Sequence, residues 1–113
     1  MALLQTWSML LPTLALALAA AQQGPERGRW EDCLLSYAQI ESLGAKTAVR
    51  IAGEALVACG PERQDHVKAL VRRLQPTASR EHSAIDQAMV LMDIDQKVVV
   101  RRMLALINRS RQD

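Results

Sequence analysis

The sequence contains few aromatic residues and no phenylalanine, since its aromatic side chains are those of two tryptophans and one tyrosine. Proteins that bind single-stranded nucleic acids use such side chains as platforms for base stacking. Fourteen basic and twelve acidic residues give the 113-residue chain a formal net charge of only +2. An excess this small does not support binding to a phosphate backbone, which needs many lysine and arginine contacts. The composition therefore argues against a nucleic-acid partner.

The sequence also lacks the signatures of a metal or phosphate site. It has no Gly-rich loop of the kind that cradles a phosphate. His66 and His82 stand in no zinc-binding spacing with the cysteines, and we interpret both histidines as exposed on helix surfaces. Asp93 and Asp95 lack the glycine and the final glutamate of a calcium loop, so we interpret them as helix caps. The sequence predicts neither a metal site nor a cofactor.

Ser79, His82 and Ser83 come nearest to a nucleophilic site. A catalytic serine needs a base that is oriented by a third group across the fold, and nothing in the sequence specifies one. Ser79 is better explained as a helix cap. The sequence therefore predicts no catalytic residue and a protein that is not an enzyme.

Charged residues are missing from the first 25 positions and abundant afterwards. Residues 9–21 form an almost unbroken apolar run, and the alanines at 19–21 fit the small-residue site where a secretory signal peptide is cleaved. The run is short for a membrane span, and Pro12 interrupts it. We predict a signal peptide at residues 1–21, a flexible leader at 22–29 and a single helical domain at 30–113. A periplasmic or secreted location follows.

The domain is organised around residues 30–59, which hold both cysteines. Each half of this stretch carries one apolar row at helical spacing. The rows are Trp30, Cys33, Leu34, Tyr37 and Ile40, and then Val49, Ala52, Leu56 and Cys59. Gly44 suits the left-handed residue that ends a helix, and Thr47 suits the cap that begins the next one. The pattern predicts an antiparallel helical hairpin.

Cys33 and Cys59 lie at nearly matching heights in such a hairpin. The first is ten residues before Leu43 and the second is twelve residues after Thr47. At 1.5 Å per residue these separations are about 15 and 18 Å from the turn. An even cysteine count also suits an exported domain in an oxidising compartment. We predict a Cys33–Cys59 disulfide, with two buried free thiols as the alternative.

Two further helical segments follow the hairpin. Pro61 suits the first turn of a helix whose apolar row is Val67, Leu70, Val71 and Leu74. The segment 79–108 has no glycine or proline and forms one long helix or two shorter ones. It carries a heptad-like row with one polar interruption: Ile85, Met89, Met92, Gln96, Val99, Met103 and Leu106. We interpret this row as core, because so small a domain needs its apolar residues inside.

The C-terminal arginines are interpreted as a solvated face that complements the helix dipole. These are Arg101, Arg102, Arg109 and Arg111. The alternation and turn residues that are typical of strands are absent. The predicted fold is therefore all-α, a small helical bundle built on the disulfide-linked antiparallel hairpin.

Two short patterns carry a family resemblance. Trp30-x-x-Cys33-Leu34 and Ala58-Cys59-x-x-Glu62-Arg63 resemble those of small exported helical proteins of proteobacteria. The resemblance implies a periplasmic, disulfide-bonded helical protein and carries no activity with it. A more distant likeness is to the acid-activated periplasmic chaperones, which are small, all-helical and held by one disulfide.

These observations together predict a non-catalytic exported protein that acts by protein interaction in the periplasm. The alternative is a stress chaperone or a membrane-surface binding protein. The sequence does not name the protein partner, and it leaves open a homodimer through the row at 85–106. If this row is buried, a structural role is favoured. If it is exposed, a chaperone or membrane-surface binding protein is favoured.

Overall fold

The computed structural model describes residues 24–79 and 83–112, and these form four α-helices and a short 3-10 turn. The helices are α1 (Pro25–Glu41), α2 (Ala48–Ala58), α3 (Gly60–Leu74) and α4 (Ala84–Gln112), and the turn is Gln75–Thr77. No described residue lies in a strand, and the helices pack against one another. The predicted all-α fold is confirmed. The predicted signal peptide at residues 1–21 lies outside the described residues.

The first helix begins earlier than the sequence predicts. Pro25 occupies its first turn, where a missing N–H costs nothing. Arg27 is buried and bonded to side chains of α1 and α4. The prediction of a flexible leader is therefore wrong for residues 25–29, because tertiary contacts supply partners that the local sequence does not reveal.

The loop between α1 and α2 does not use a left-handed glycine. No glycine in the described part of the chain has a positive φ angle, so the prediction for Gly44 is wrong. Instead, Arg111 of α4 donates hydrogen bonds to the carbonyls of Ser42 and Gly44, both at 3.2 Å, and to that of Lys46. The predicted cap on α2 is confirmed, since Thr47 Oγ1 accepts the Arg50 N–H at 3.3 Å.

A disulfide joins α1 to the junction between α2 and α3. The sulfurs of Cys33 and Cys59 are 2.06 Å apart, and their Cα atoms are 6.0 Å apart. Cys59 is the single residue between the two helices, and Pro61 lies in the first turn of α3. The structure therefore has the predicted pairing of the two cysteines and the packing of α2 on α1.

Residues Ala84–Gln112 form one continuous helix of 29 residues, which answers the question of one helix or two. Its cap is Ser83, whose Oγ accepts the Asp86 N–H at 3.2 Å, rather than Ser79. Asp93 and Asp95 lie inside this helix, so their interpretation as caps is wrong. The three valines at 98–100 do not interrupt it.

The core row of α4 differs from the predicted heptad row. Met92, Val99 and Met103 are fully buried as predicted, whereas Ile85 is 62% exposed and Met89 is 45% exposed. The buried positions of α4 are Ala84, Ala88, Met92, Asp95, Val99, Met103 and Ile107. A helix of 3.6 residues per turn drifts relative to a heptad repeat, so the contacting row starts on small alanines instead of the larger Ile85 and Met89.

The same kind of shift occurs in the hairpin. Trp30, Leu34 and Ala52 are buried as predicted, but Ile40 and Val49 are exposed. Their places in the core are taken by a set that also includes small side chains: Ala38, Ile51 and Ala55. Alanines allow helix backbones to approach closely, and the local pattern alone does not reveal which flank does so.

Candidate functional site: a buried charged cluster beside the disulfide

Three ionisable side chains from three different helices meet in the core. We call Arg27 of α1, His66 of α3 and Asp95 of α4 the charged cluster. His66 Nε2 lies 3.0 Å from Asp95 Oδ2, and Arg27 Nε lies 3.4 Å from Asp95 Oδ1. The exposed fractions of the three side chains are 10% or less. The carboxylate of Asp95 thus bridges one cation and one imidazole.

Glu31 and Arg102 extend the charged cluster toward the protein surface. Arg27 Nη1 donates to Glu31 Oε2 at 2.8 Å, and Arg102 donates to the other oxygen of Glu31. Two guanidinium groups therefore face two carboxylates, and the set is electrically balanced when His66 is neutral. Balance of this kind offsets part of the large cost of removing charges from water.

The imidazole of His66 is packed against Trp30 of α1. Their ring centroids are 5.9 Å apart and the rings are inclined by 26°. Because Nε2 of His66 faces a carboxylate, which only accepts hydrogen bonds when ionised, we assign a ring proton to this nitrogen. The Nδ1 atom of His66 and the Nε1 atom of Trp30 are both buried, and neither has a hydrogen-bond partner among the described residues.

The His66–Asp95 pair has the form of a base and its orienting carboxylate. In catalysis such a pair acts on a nucleophile or a substrate within hydrogen-bond reach. His66 exposes no surface, so a substrate does not reach it in this conformation. The arrangement ties three helices together, and its chemistry is that of a buried ion-pair network.

The structure corrects two sequence-based interpretations here. His66 was expected on an exposed surface and is fully buried; the interpretation of it as exposed is wrong. Asp95 was expected to cap a helix and is instead the centre of the cluster. His82 lies outside the described residues. The spacing in the sequence could have indicated that Asp95 is buried. It lies three residues after Met92 and four before Val99, and both of these are core positions.

Glu62 lies beside the disulfide. Its Oε2 atom is buried and has no hydrogen-bond partner in the part of the chain that the structure describes. Its carboxylate and the two cysteine sulfurs lie within 4.8 Å of one another. Thiolates, not disulfides, are the cysteine ligands of metals. These three groups therefore do not form a metal site while Cys33 and Cys59 are bridged.

A surface ion-pair group lies at the other end of the hairpin. Glu54 accepts from Lys46 at 2.8 Å and from Arg50 at 3.0 Å. The hydrogen bond from Lys46, followed by that from Arg50, lowers the pKa of Glu54. The same bond to Glu54 raises the pKa of Lys46, with a smaller contribution from Glu41. This group is charged across the neutral pH range.

The C-terminal arginines have different roles, so the prediction of one solvated face is only partly right. Arg102 pairs with Glu31, and Arg111 holds the loop before α2 through three carbonyls. Arg101 and Arg109 are exposed. The contacts of Arg102 and Arg111 span about 70 residues of sequence, with separations of 71 and 69, and no local pattern predicts them.

The large apolar side chains that are exposed in the described part of the chain fall on three helices and one loop. On α2, Val49 and Val57 are 75% and 82% exposed, and exposed Gly53 lies between them. We call Val49, Gly53 and Val57 the α2 ridge. The remaining exposed large apolar residues are Ile40, Leu43, Ile85, Met89, Val90 and Ile94.

Comparisons with protein-family models, with curated proteins and with solved structures find no match to this chain. The resemblance to small exported proteobacterial proteins therefore stays a prediction. Among the described residues, no helix combines the length and the apolar character that crossing a membrane requires.

Proposed function

We propose that this chain is a non-catalytic exported helical protein that acts by protein interaction in the periplasm or an equivalent oxidising compartment. The disulfide carries the proposal. It crosslinks α1 to the α2–α3 junction, and such bonds persist in oxidising compartments and are rare in the cytosol. The signal-like residues 1–21 agree with this location.

The positions of the chemically active side chains support a non-catalytic role. Asp95 and His66 are buried and bonded to each other, and Arg27 is bonded to two carboxylates. A catalytic site needs such groups to converge on a space that a substrate can occupy. Here they converge on the core instead.

The partly concealed α4 row also favours a structural protein over a binder that uses this row. Met92, Val99 and Met103 are fully buried, so from Met92 onward the row holds the bundle together. A partner would therefore bind outside this buried part of the row. The surfaces open to it include the exposed apolar residues of α2.

The proposal is tested by the intact mass of the protein recovered from the periplasm of a Gram-negative host. We expect a mass that lacks residues 1–21 and takes up no alkylating agent until a reductant is added. Alkylation is carried out under denaturing conditions, so that thiols that are merely inaccessible also react, and a Cys33→Ser/Cys59→Ser variant controls for alkylation at other side chains. A full-length cytoplasmic product with two alkylatable thiols would contradict the proposal.

The second candidate is a stress chaperone or a membrane-surface binding protein. The observation that favours it is the apolar surface on the first half of α4, where Ile85, Met89, Val90 and Ile94 are exposed. The test measures suppression of client aggregation and cosedimentation with anionic vesicles. A Val90→Ser/Ile94→Ser variant should lose either activity if this surface is the binding face, and an inactive wild-type protein would remove the candidate.

A further inference from the structure

The outer face of α2 has the features of a helix-packing surface without a partner. Val49, Gly53 and Val57 follow one another at four-residue intervals, which aligns them in one row along the helix. The opposite face, with Ile51, Ala52 and Ala55, is buried in the bundle. Beside the row is a groove of about 570 Å³, lined by Tyr37, Arg50, Gly53, Glu54, Val57 and Ala58.

Gly53 is unexplained by the fold of the single chain. It lies in the middle of an 11-residue helix, where glycine is less favourable than alanine. A Cβ atom added at Gly53 would meet nothing within 4 Å, so packing within residues 24–79 and 83–112 does not require the glycine. Glycine at such a point permits the close approach of another helix backbone.

We propose that the α2 ridge is a homodimer interface, in which α2 of a second copy crosses at Gly53 in the antiparallel direction. Packing of two four-residue ridges gives a crossing angle of about −50°. Gly53 then lies against its own counterpart at the twofold axis. Val49 of each copy lies opposite Val57 of the other, which covers the two most exposed valines of the helix.

The charges beside the α2 ridge are complementary when the two α2 helices are antiparallel, and not when they are parallel. Arg50 and Glu54 form the neighbouring row on one side of the ridge. In an antiparallel pair centred on Gly53, the Arg50 of one copy and the Glu54 of the other differ by two residues along the axis, about 3 Å at 1.5 Å per residue. The two Glu54 side chains differ by the same distance, so each dimer has two attractive Arg50–Glu54 contacts and one Glu54–Glu54 contact, and each of these glutamates is paired with Lys46 of its own chain. A parallel twofold pair would put the two charged rows on opposite sides of the contact.

The local charges also sum to zero, so the surface carries no net charge that would repel a second copy. Lys46 and Arg50 offset Glu41 and Glu54, and the four side chains are linked by ion pairs of 2.8 to 3.4 Å. The interface requires only the folded, oxidised chain and does not depend on the proposed export. It goes beyond the proposed function by naming a second copy as a partner.

The first experiment compares matched glycine substitutions by sedimentation equilibrium of the oxidised protein from the exporting host. Gly53→Ala and Gly28→Ala both replace an exposed helical glycine whose added Cβ meets nothing within 4 Å. At protein concentrations at which the wild type is monomeric, both should keep or raise the melting temperature, since alanine favours helix. Only Gly53→Ala should weaken the dimer, by about tenfold in Kd or more, a factor that corresponds to about 1.4 kcal/mol.

The second experiment uses charge reversal to test whether the two α2 helices cross in the antiparallel direction. Arg50→Glu and Glu54→Arg should each weaken self-association, because the twofold axis doubles the like-charge contacts. Mixing the two variants should restore dimers, since every cross-contact in the mixed antiparallel pair joins opposite charges. A wild-type protein that is monomeric at all concentrations would overturn the inference, and so would a Gly53→Ala dimer as tight as the wild type. Neither result would bear on export.

Discussion

The Nε2 atom of His66 lies 3.0 Å from the Oδ2 atom of Asp95, and both side chains are removed from solvent. This contact joins α3 to α4 through a polar bond inside a largely apolar core. Arg27 of α1 adds a third helix through the other oxygen of Asp95. One carboxylate therefore links three helices that otherwise pack through apolar side chains.

Replacing Asp95 should be strongly destabilising. Asp95→Ala leaves Arg27 and His66 in the core without their shared acceptor, and loss of one partner from a buried pair costs about 3–5 kcal/mol. Urea denaturation followed by circular dichroism measures the change. Asp93→Ala is the matched control on the same helix, because Asp93 makes an exposed pair with Lys97 and such pairs contribute about 0.3–0.5 kcal/mol. Equal effects of the two substitutions would contradict the bridging role of Asp95.

The disulfide should be a major source of stability. Cys33 and Cys59 are 26 residues apart in sequence, and closing a loop of this size contributes about 3 kcal/mol in the chain-entropy treatment. Cys33→Ala/Cys59→Ala should lower the free energy of unfolding by about that amount. The urea midpoint of the wild type should fall on reduction, whereas that of the variant should not change. A wild-type midpoint that is insensitive to a reductant would refute this expectation.

Arg111 should order the loop before α2. Its guanidinium satisfies the carbonyls of Ser42, Gly44 and Lys46, and hydrogen bonds to a charged group contribute about 1.5–3 kcal/mol when shielded. Because this site is partly exposed, we expect Arg111→Ala to cost about 1–2 kcal/mol. Amide hydrogen exchange across residues 42–48 should accelerate.

Arg109→Ala, at an exposed position in the same turn of α4, provides the control for this experiment. It should leave both the loop exchange and the urea midpoint nearly unchanged. Equal exchange rates in the two variants would show that the loop is held by something other than Arg111.

The ion-pair group at Glu54 should make stability depend on pH in a defined direction. The hydrogen bond from Lys46, and then that from Arg50, lowers the pKa of Glu54 below its ordinary value of 4.5. A lowered carboxyl pKa contributes stability that is present above the ordinary value and is lost as the pH falls through the folded-state value. The melting temperatures of wild type and Glu54→Gln should therefore differ at neutral pH and converge below pH 4.5.

Lys46 contributes with the opposite sign. Its pKa is raised, chiefly by the hydrogen bond to Glu54, so its contribution is complete below the ordinary value of 10.5 and is lost as the pH rises through the folded-state value. Lys46→Gln should flatten both limbs of the profile. A difference between wild type and Glu54→Gln that stays constant from pH 3 to 7 would contradict this assignment.

The sequence alone predicts the helices, most of their ends and the cysteine pairing. Thr47 and Pro61 have capping and first-turn chemistry that acts within a few residues, and the cysteine heights follow from the rise of a helix. These features are local or depend on one distance along the chain. The core row was predicted only in part, because Met92 and Val99 fit two overlapping helical spacings and the heptad version wrongly included Ile85.

The tertiary structure alone decides the charged cluster and the role of Arg111. Arg27, His66 and Asp95 are 29 to 68 residues apart, and each is individually compatible with an exposed helix surface. They become a cluster only in the folded core. Burying a charged side chain is costly unless a partner from another part of the fold pairs with it. The sequence by itself determines that the chain is helical, that Thr47 caps α2 and that Cys33 pairs with Cys59; only the packing of the helices determines where α1 begins and which polar side chains become core.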